Sequence, residues 1–319
     1  MNKPFMVANK TFTVAVLLSL FMFSAGIFLE MPLSSLPARG EQINTSASVQ
    51  NSPPVASSPV INGGNDITLT EGTTTEVLGT VTVTDDNGCT EIQTVDAVLY
   101  REGVGEIAGD DENNHYSATC VGNNDCINSS DLDQTFNCTF NMWYYADPTD
   151  VGSIYESEVW IFKVTPSDVD TGTPANTSVE VNTLTAIEIS PLTIDYGALA
   201  LGADTGAFNE VLTINNTGNE GVDVSVDGYG SVDGDGYAMV CTVGAIPLSY
   251  EQYSASPFAY GAGTALTDTA ADVNLNIAQR TTTPTTADLY WGFGMPASGV
   301  SGSCSGVVNI LAVSDPQLR

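Results

Sequence analysis

The sequence predicts an all-β protein made of layered sandwiches in tandem, and three observations predict it. Apolar and polar residues alternate with period two in short runs, as in 77–84 and 222–227. Gly, Asn, Asp and Pro separate those runs, and no run past the N-terminus has helical periodicity. The 319 residues, 42% of them hydrophobic, suffice for about two cores of ordinary size.

The chain opens with Lys3 and Lys10 ahead of an uncharged apolar run over 11–29. That is the pattern of an export signal. The run also approaches the length that spans a bilayer, so an N-terminal membrane anchor is the alternative, with the bulk of the chain outside the cell. Residues 1–40 are assigned to this segment. Residues 41–64, rich in Ser, Pro, Asn and Gly, read as an extended linker.

Residues 65–186 form the first expected sandwich. Val77, Val81 and Val83 alternate with Leu78, Thr80, Thr82 and Thr84 before a tight turn at 85–88. Further strands are expected over 95–101, 135–145, 156–165 and 178–183. Between them, 102–133 is a polar insertion carrying Cys120 and Cys126; a loop of that length is usually functional or stapled.

The second expected sandwich, 187–319, has strands over 192–196, 209–215, 222–226, 238–243, 272–278, 287–293 and 305–313. Within "LTINNTGNEGVDVSVDG" (212–228) the polar centre fits a hairpin turn between two strands. Trp143, Trp160 and Trp291 lie among apolar residues, and Trp160 alternates with Phe162 and Val164, so all three read as core.

Six cysteines suit an oxidising compartment. Cys241 and Cys304 fall together in the second half. In the first half Cys89, Cys120, Cys126 and Cys138 allow three pairings, of which Cys120 with Cys126 and Cys89 with Cys138 is preferred. Against 38 acids stand only 7 Lys and Arg, a net charge of −31. Such a surface repels phosphate backbones, which excludes nucleic acid as a partner.

Catalytic patterns are absent: the single histidine, His115, lies in the polar insertion with no nucleophile motif near it, and is expected to be an exposed loop residue. No enzyme activity is expected. "SVDGDGY" places Asp233 and Asp235 between glycines, similar to the start of a calcium loop but without its third acid and closing Glu. Calcium is the one candidate cofactor. A second acidic group, Asp85, Asp86, Asp147, Asp150, Asp168 and Asp170, sits at expected strand ends. Sequons at Asn44, Asn128, Asn137, Asn176 and Asn215 are candidate glycan acceptors in an exported chain.

The residues Tyr196-Gly197, Gly202 and Asn216-Thr217-Gly218 in the second half, and "VTVTDDNGC" with "WYYADPTD" in the first, carry a resemblance. The chain resembles the immunoglobulin-like or cadherin-like modules of bacterial and archaeal cell-surface proteins. That resemblance implies two immunoglobulin-like β-sandwich domains and a structural or adhesive role, with calcium at module junctions as in cadherin-like repeats. Two alternatives remain: a glycan- or protein-binding module using the 102–133 insertion, and a fibre or surface-layer subunit in which 43–61 adds as a strand to a neighbour.

Overall fold

The alternation seen in the sequence becomes antiparallel sheet. A computed structural model describes residues 42–315 and Leu318. The expected signal or anchor (1–40) lies outside the described residues. Among the described residues no helix is long and apolar enough to cross a membrane.

The first half comprises β1 (Val55–Ile61), β2 (Thr74–Thr84), β3 (Thr94–Arg101), β4 (His115–Thr119), β5 (Val121–Gly122), β6 (Asp133–Trp143), β7 (Trp160–Ser167) and β8 (Ala175–Val179). They form two four-stranded sheets, ordered β1-β2-β6-β5 and β4-β3-β7-β8. This is the strand order of an immunoglobulin-like Greek-key sandwich. On β2, Val77, Val81 and Val83 point inward while Leu78 is exposed, so the register follows the apolar set. They pack with Leu99, Met142, Trp160 and Val164, and Phe140 meets Phe162 edge to face at 5.9 Å. Gly79 takes the fourth inward place on β2 because a Cβ there would strike the Phe162 ring.

Two elements of this sandwich differ from expectation. Residues 55–61, expected in the linker, form β1 and pair with β2. Pro59 and a register shift between Ser57 and Val60 hide its alternation, and an edge strand tolerates both. The 102–133 insertion is not one loop, since β4 pairs with β3 and β5 with β6. Its strands are short and largely polar, which masked their period.

The second half comprises β9 (Ile187–Ser190), β10 (Glu210–Asn216), β11 (Val222–Tyr229), β12 (Tyr237–Val243), β13 (Ala245–Pro247), β14 (Glu251–Ser254), β15 (Thr264–Ala265), β16 (Ala271–Asp272), β17 (Thr286–Phe293), β18 (Ser301–Ser305) and β19 (Val307–Ser314). One sheet runs β15-β14-β17-β10-β9. Opposite it, β19 pairs with β11 and β18 with β12, so β11 and β12 are two pieces of one strand path interrupted by the excursion 230–236. Gly306 marks the break on the partner side: a Cβ there would collide with the Ala238 carbonyl oxygen. The core gathers Leu212, Ile214, Val222, Val224, Val226, Leu289 and Trp291.

Here too two expected strands change. Residues 192–196 are not a strand, and Leu192 is exposed. Of 272–278, only Asp272 belongs to a strand; the remainder follows β11 irregularly, with Asn274 and Asn276 in left-handed conformations.

Three disulfides close the chain: Cys89–Cys126, Cys120–Cys138 and Cys241–Cys304. The third matches expectation. The preferred first-half pairing is corrected, and the sheet crossing explains why. Cys120 sits where the chain passes from β4 to β5, facing the core beside Cys138 with their Cα atoms 4.2 Å apart. Strand β5 then carries Cys126 away to the turn after β2, where the Cys89 N–H is held by the Asp131 carbonyl at 2.8 Å. Peptide mapping without reduction is expected to return these three links. Replacing Cys120 and Cys138 by Ala should lower the unfolding free energy by about 3 kcal/mol in a denaturant titration, as expected for a loop of this size.

Candidate functional site

The turn between β10 and β11 is more than a bend. Asn216, Thr217, Asn219 and Glu220 are all buried. Asn216 shapes the turn from inside, donating to the Glu220 carbonyl at 2.7 Å while its Oδ1 accepts the Gly218 N–H at 2.9 Å. Asn219 reaches into the first sandwich: its amide donates to the carbonyls of Ala146 (3.1 Å) and Asn182 (3.0 Å), and its Oδ1 accepts the Leu184 N–H. Thr217 donates to Glu71, and the Gly72 N–H donates to the Thr217 carbonyl. A Cβ on Gly218 would strike the Leu184 carbonyl oxygen, so glycine is required by close approach.

Asp147 is the hub beside this turn. Arg101 Nε lies 2.9 Å from its Oδ2, and its Oδ1 accepts from Asn113 and from Gln279, each at 3.1 Å. Its carbonyl accepts the Trp160 indole N–H at 2.8 Å. Burial pushes the Asp147 carboxyl above the usual carboxylate range, while Arg101 pulls it back. Arg280 completes the joint, donating to the Tyr144 hydroxyl with its guanidinium 4.4 Å from the Tyr145 ring centre. Two of the chain's seven cationic side chains therefore serve here. Asp147→Ala would remove one of the two carboxylates that pair with Arg101, the other being Glu158, and the acceptor of Asn113 and Gln279, and should cost roughly 1–3 kcal/mol in equilibrium unfolding.

The insertion builds a groove of about 660 Å³ lined by Asp110, Glu112, Ser117, Thr139, Asn141 and Trp143, among others. His115 is not the exposed loop residue expected. It is buried, stacked on Tyr100, with Nδ1 2.8 Å from Asp110 Oδ1 and Nε2 3.0 Å from the Glu106 carbonyl. Glu112 has a left-handed backbone (φ 63°), and its carboxylate accepts the Tyr145 hydroxyl at 3.1 Å. Trp143, expected in the core, is only half-buried and stacks on Tyr145 at 5.8 Å. Trp160 and Trp291 are core residues as expected.

The acidic strand-end group divides between two ends of the first sandwich. Asp85 and Asp168 close turns at one end, accepting the N–H groups of Asn87 and Asp170. Asp147 and Asp150 lie at the other, where Arg101 supplies the positive charge and Thr183 donates to Asp150. Asp233 is exposed. Asp235 uses both carboxylate oxygens on its own loop, accepting N–H bonds from Gly230, Ser231, Val232 and Tyr237, which hold its carboxyl well below the usual range. Among the described residues no group of three or more acidic, His or Cys side chains is arranged to hold a metal.

Asn44, Asn128 and Asn176 are exposed. Asn137 is half-buried and donates to Asn123, while Asn215 has a buried Oδ1 without a partner. The opening sequon of the β10–β11 turn thus points into structure, since Thr217 is itself buried.

A second cavity, about 600 Å³, opens in the second sandwich between the segment after β9 and strands β18 and β19. Glu251 lines it, buried, accepting the Tyr196 hydroxyl at 2.8 Å. Burial raises this carboxyl from 4.5 to about 7. A raised carboxyl favours the folded state fully below about pH 4.5, and that contribution is lost as pH rises through about 7. Glu251→Gln should flatten the stability profile across that window and raise stability above it by roughly 3 kcal/mol, measured by unfolding at stepped pH.

No protein-family model matches the chain, and no curated protein matches it in sequence. Among solved structures the chain is similar to the CsuC–CsuE chaperone–tip adhesion subunit pre-assembly complex of archaic chaperone-usher Csu pili from Acinetobacter baumannii. The identity is 10% and the TM-score 0.37, over 78% of this chain and 96% of that one. It is also similar to a chaperone–tip adhesin complex of CFA/I fimbriae biogenesis, at 9% identity and a TM-score of 0.26, over 84% and 86%. Overlap at this level bears on neither partner nor activity.

Proposed function

We propose that the chain is an exported structural protein of the cell surface, in which two disulfide-stapled sandwiches act as one stiff display arm. The reading takes 65–186 and 187–319 as its two modules, with β1 added to the first. The burial of the β10–β11 turn against the first sandwich carries it: a hinge would leave those polar groups to water, whereas here Asn219, Thr217 and Gln279 are spent on partners across the joint. Three disulfides with no free cysteine among the described residues support an oxidising compartment. Residues 1–40 supply export or anchoring, and the acidic surface keeps neighbouring copies apart. No catalytic role is assigned. Biotinylation of intact cells carrying the full chain should label it, and the recovered protein should hold no free thiol; labelling only after lysis would refute the reading.

A second reading is favoured by the groove over the insertion. Trp143 offers a half-exposed ring beside Asp110, Glu112 and Asn141, a combination of stacking face and hydroxyl partners suited to a saccharide. Binding on a glycan array that disappears in Asn141→Ala would support it, and an array without signal would remove it.

A further inference from the structure

We infer that residues 42–50 of one copy add as a strand to the open side of the second sandwich of another copy, between β9 and β19. The inference rests on the structural reading above and extends it from display to assembly.

The receiving side is defined by edges. Among the described residues β9 pairs only with β10, and β19 only with β11, so each is the last described strand of its sheet. Both border the 600 Å³ cavity, through Ile189 on one side and Val307 to Leu311 on the other. Residues 191–194 line one wall of this opening, with Ile194 packed on the core, and form no strand across it. The cavity floor is core: Leu212, Ala238 and Met239 are reached from outside. An edge with unpaired N–H and C=O groups over an apolar floor is the template for an added strand.

The donor is legible in the chain itself. "QINTSASVQ" (42–50) places Ile43, Thr45, Ala47 and Val49 on one face and Asn44, Ser46, Ser48 and Gln50 on the other. None of these residues belongs to a strand or helix, and Ile43 and Val49 are 86% and 88% exposed. Extended, nine residues span about 30 Å, enough to run the length of β19. Of the broader segment 43–61 expected to add to a neighbour, 55–61 is already used as β1, which leaves this stretch.

Charge decides between this surface and the rest of the molecule. On a chain of net charge −31, two copies repel over most of their surfaces. Residues 42–50 carry no charge, and among the described residues the only ionisable side chain lining the cavity is Glu251, engaged by Tyr196, apart from the disulfide-bonded Cys304. The donor and the cleft therefore meet without that penalty.

The test is sedimentation of the full chain over a concentration series, alone and with excess synthetic peptide QINTSASVQ. Concentration-dependent oligomers that the peptide dissolves are expected. The double variant Ile43→Asp with Val49→Asp should weaken association roughly a hundredfold or more, with the unfolding midpoint unchanged because both residues are exposed. A monomer at every concentration, or oligomers indifferent to both the peptide and the double variant, would overturn the inference. Surface biotinylation is independent of this result, so failure here leaves the display reading to its own test.

Discussion

The structure depends on one buried polar contact set, in which the β10–β11 turn and Gln279 of the second sandwich meet Asp147 and its neighbours in the first. Two sandwiches joined by chain alone would tumble, because each satisfies its own backbone within its own sheets. Here the Ala146, Tyr145 and Asn182 carbonyls are completed by side chains of the second sandwich. Separating the two would leave the Ala146 and Asn182 carbonyls, and the amides of Asn219 and Gln279, to find water in their place, while the Tyr145 carbonyl would keep only Asn113. The Arg101–Asp147 pair lies within the first sandwich and holds the carboxylate that accepts the Gln279 amide from the second.

That arrangement also explains how a chain so acidic holds a junction. Cations are scarce, and the joint draws on Arg101 for charge and on Arg280 for ring faces, with neutral amides of Asn113, Asn219 and Gln279 doing the remaining bonding. In the first sandwich Asp150, Asp85 and Asp168 are absorbed by turn and side-chain donors, and in the second Asp235 is absorbed by its own loop. Of the aspartates that suggest cation binding on paper, Asp85, Asp168 and Asp235 therefore accept backbone N–H bonds, and Asp147 and Asp150 accept from side chains.

The strand layers were legible because period-two alternation of Val, Thr and aromatic residues survives in β2, β3, β6, β7, β10, β11 and β17. Strands β1 and β4 were not, one hidden by Pro59 and a bulge, the other by five residues of mixed polarity. The disulfide partners of Cys89 and Cys120 depend on where the chain changes sheets, which spacing cannot convey. The joint left a faint signal: Asn216, Thr217, Asn219 and Glu220 are more hydrogen-bonding groups than a hairpin turn needs for itself. The burial of His115 follows from Asp110 and the Glu106 carbonyl, which the path of 102–114 brings to its ring, and not from its immediate neighbours in sequence.

Hydrogen exchange of its amides tests most directly whether the β10–β11 turn is interior structure. The N–H groups of Thr217 and Asn219 donate to the carbonyls of Ala186 and Leu184, at 3.1 and 3.0 Å. Protection of these amides on the level of those in β2 and β6 is the predicted result. Exchange at the pace of an exposed loop would contradict it.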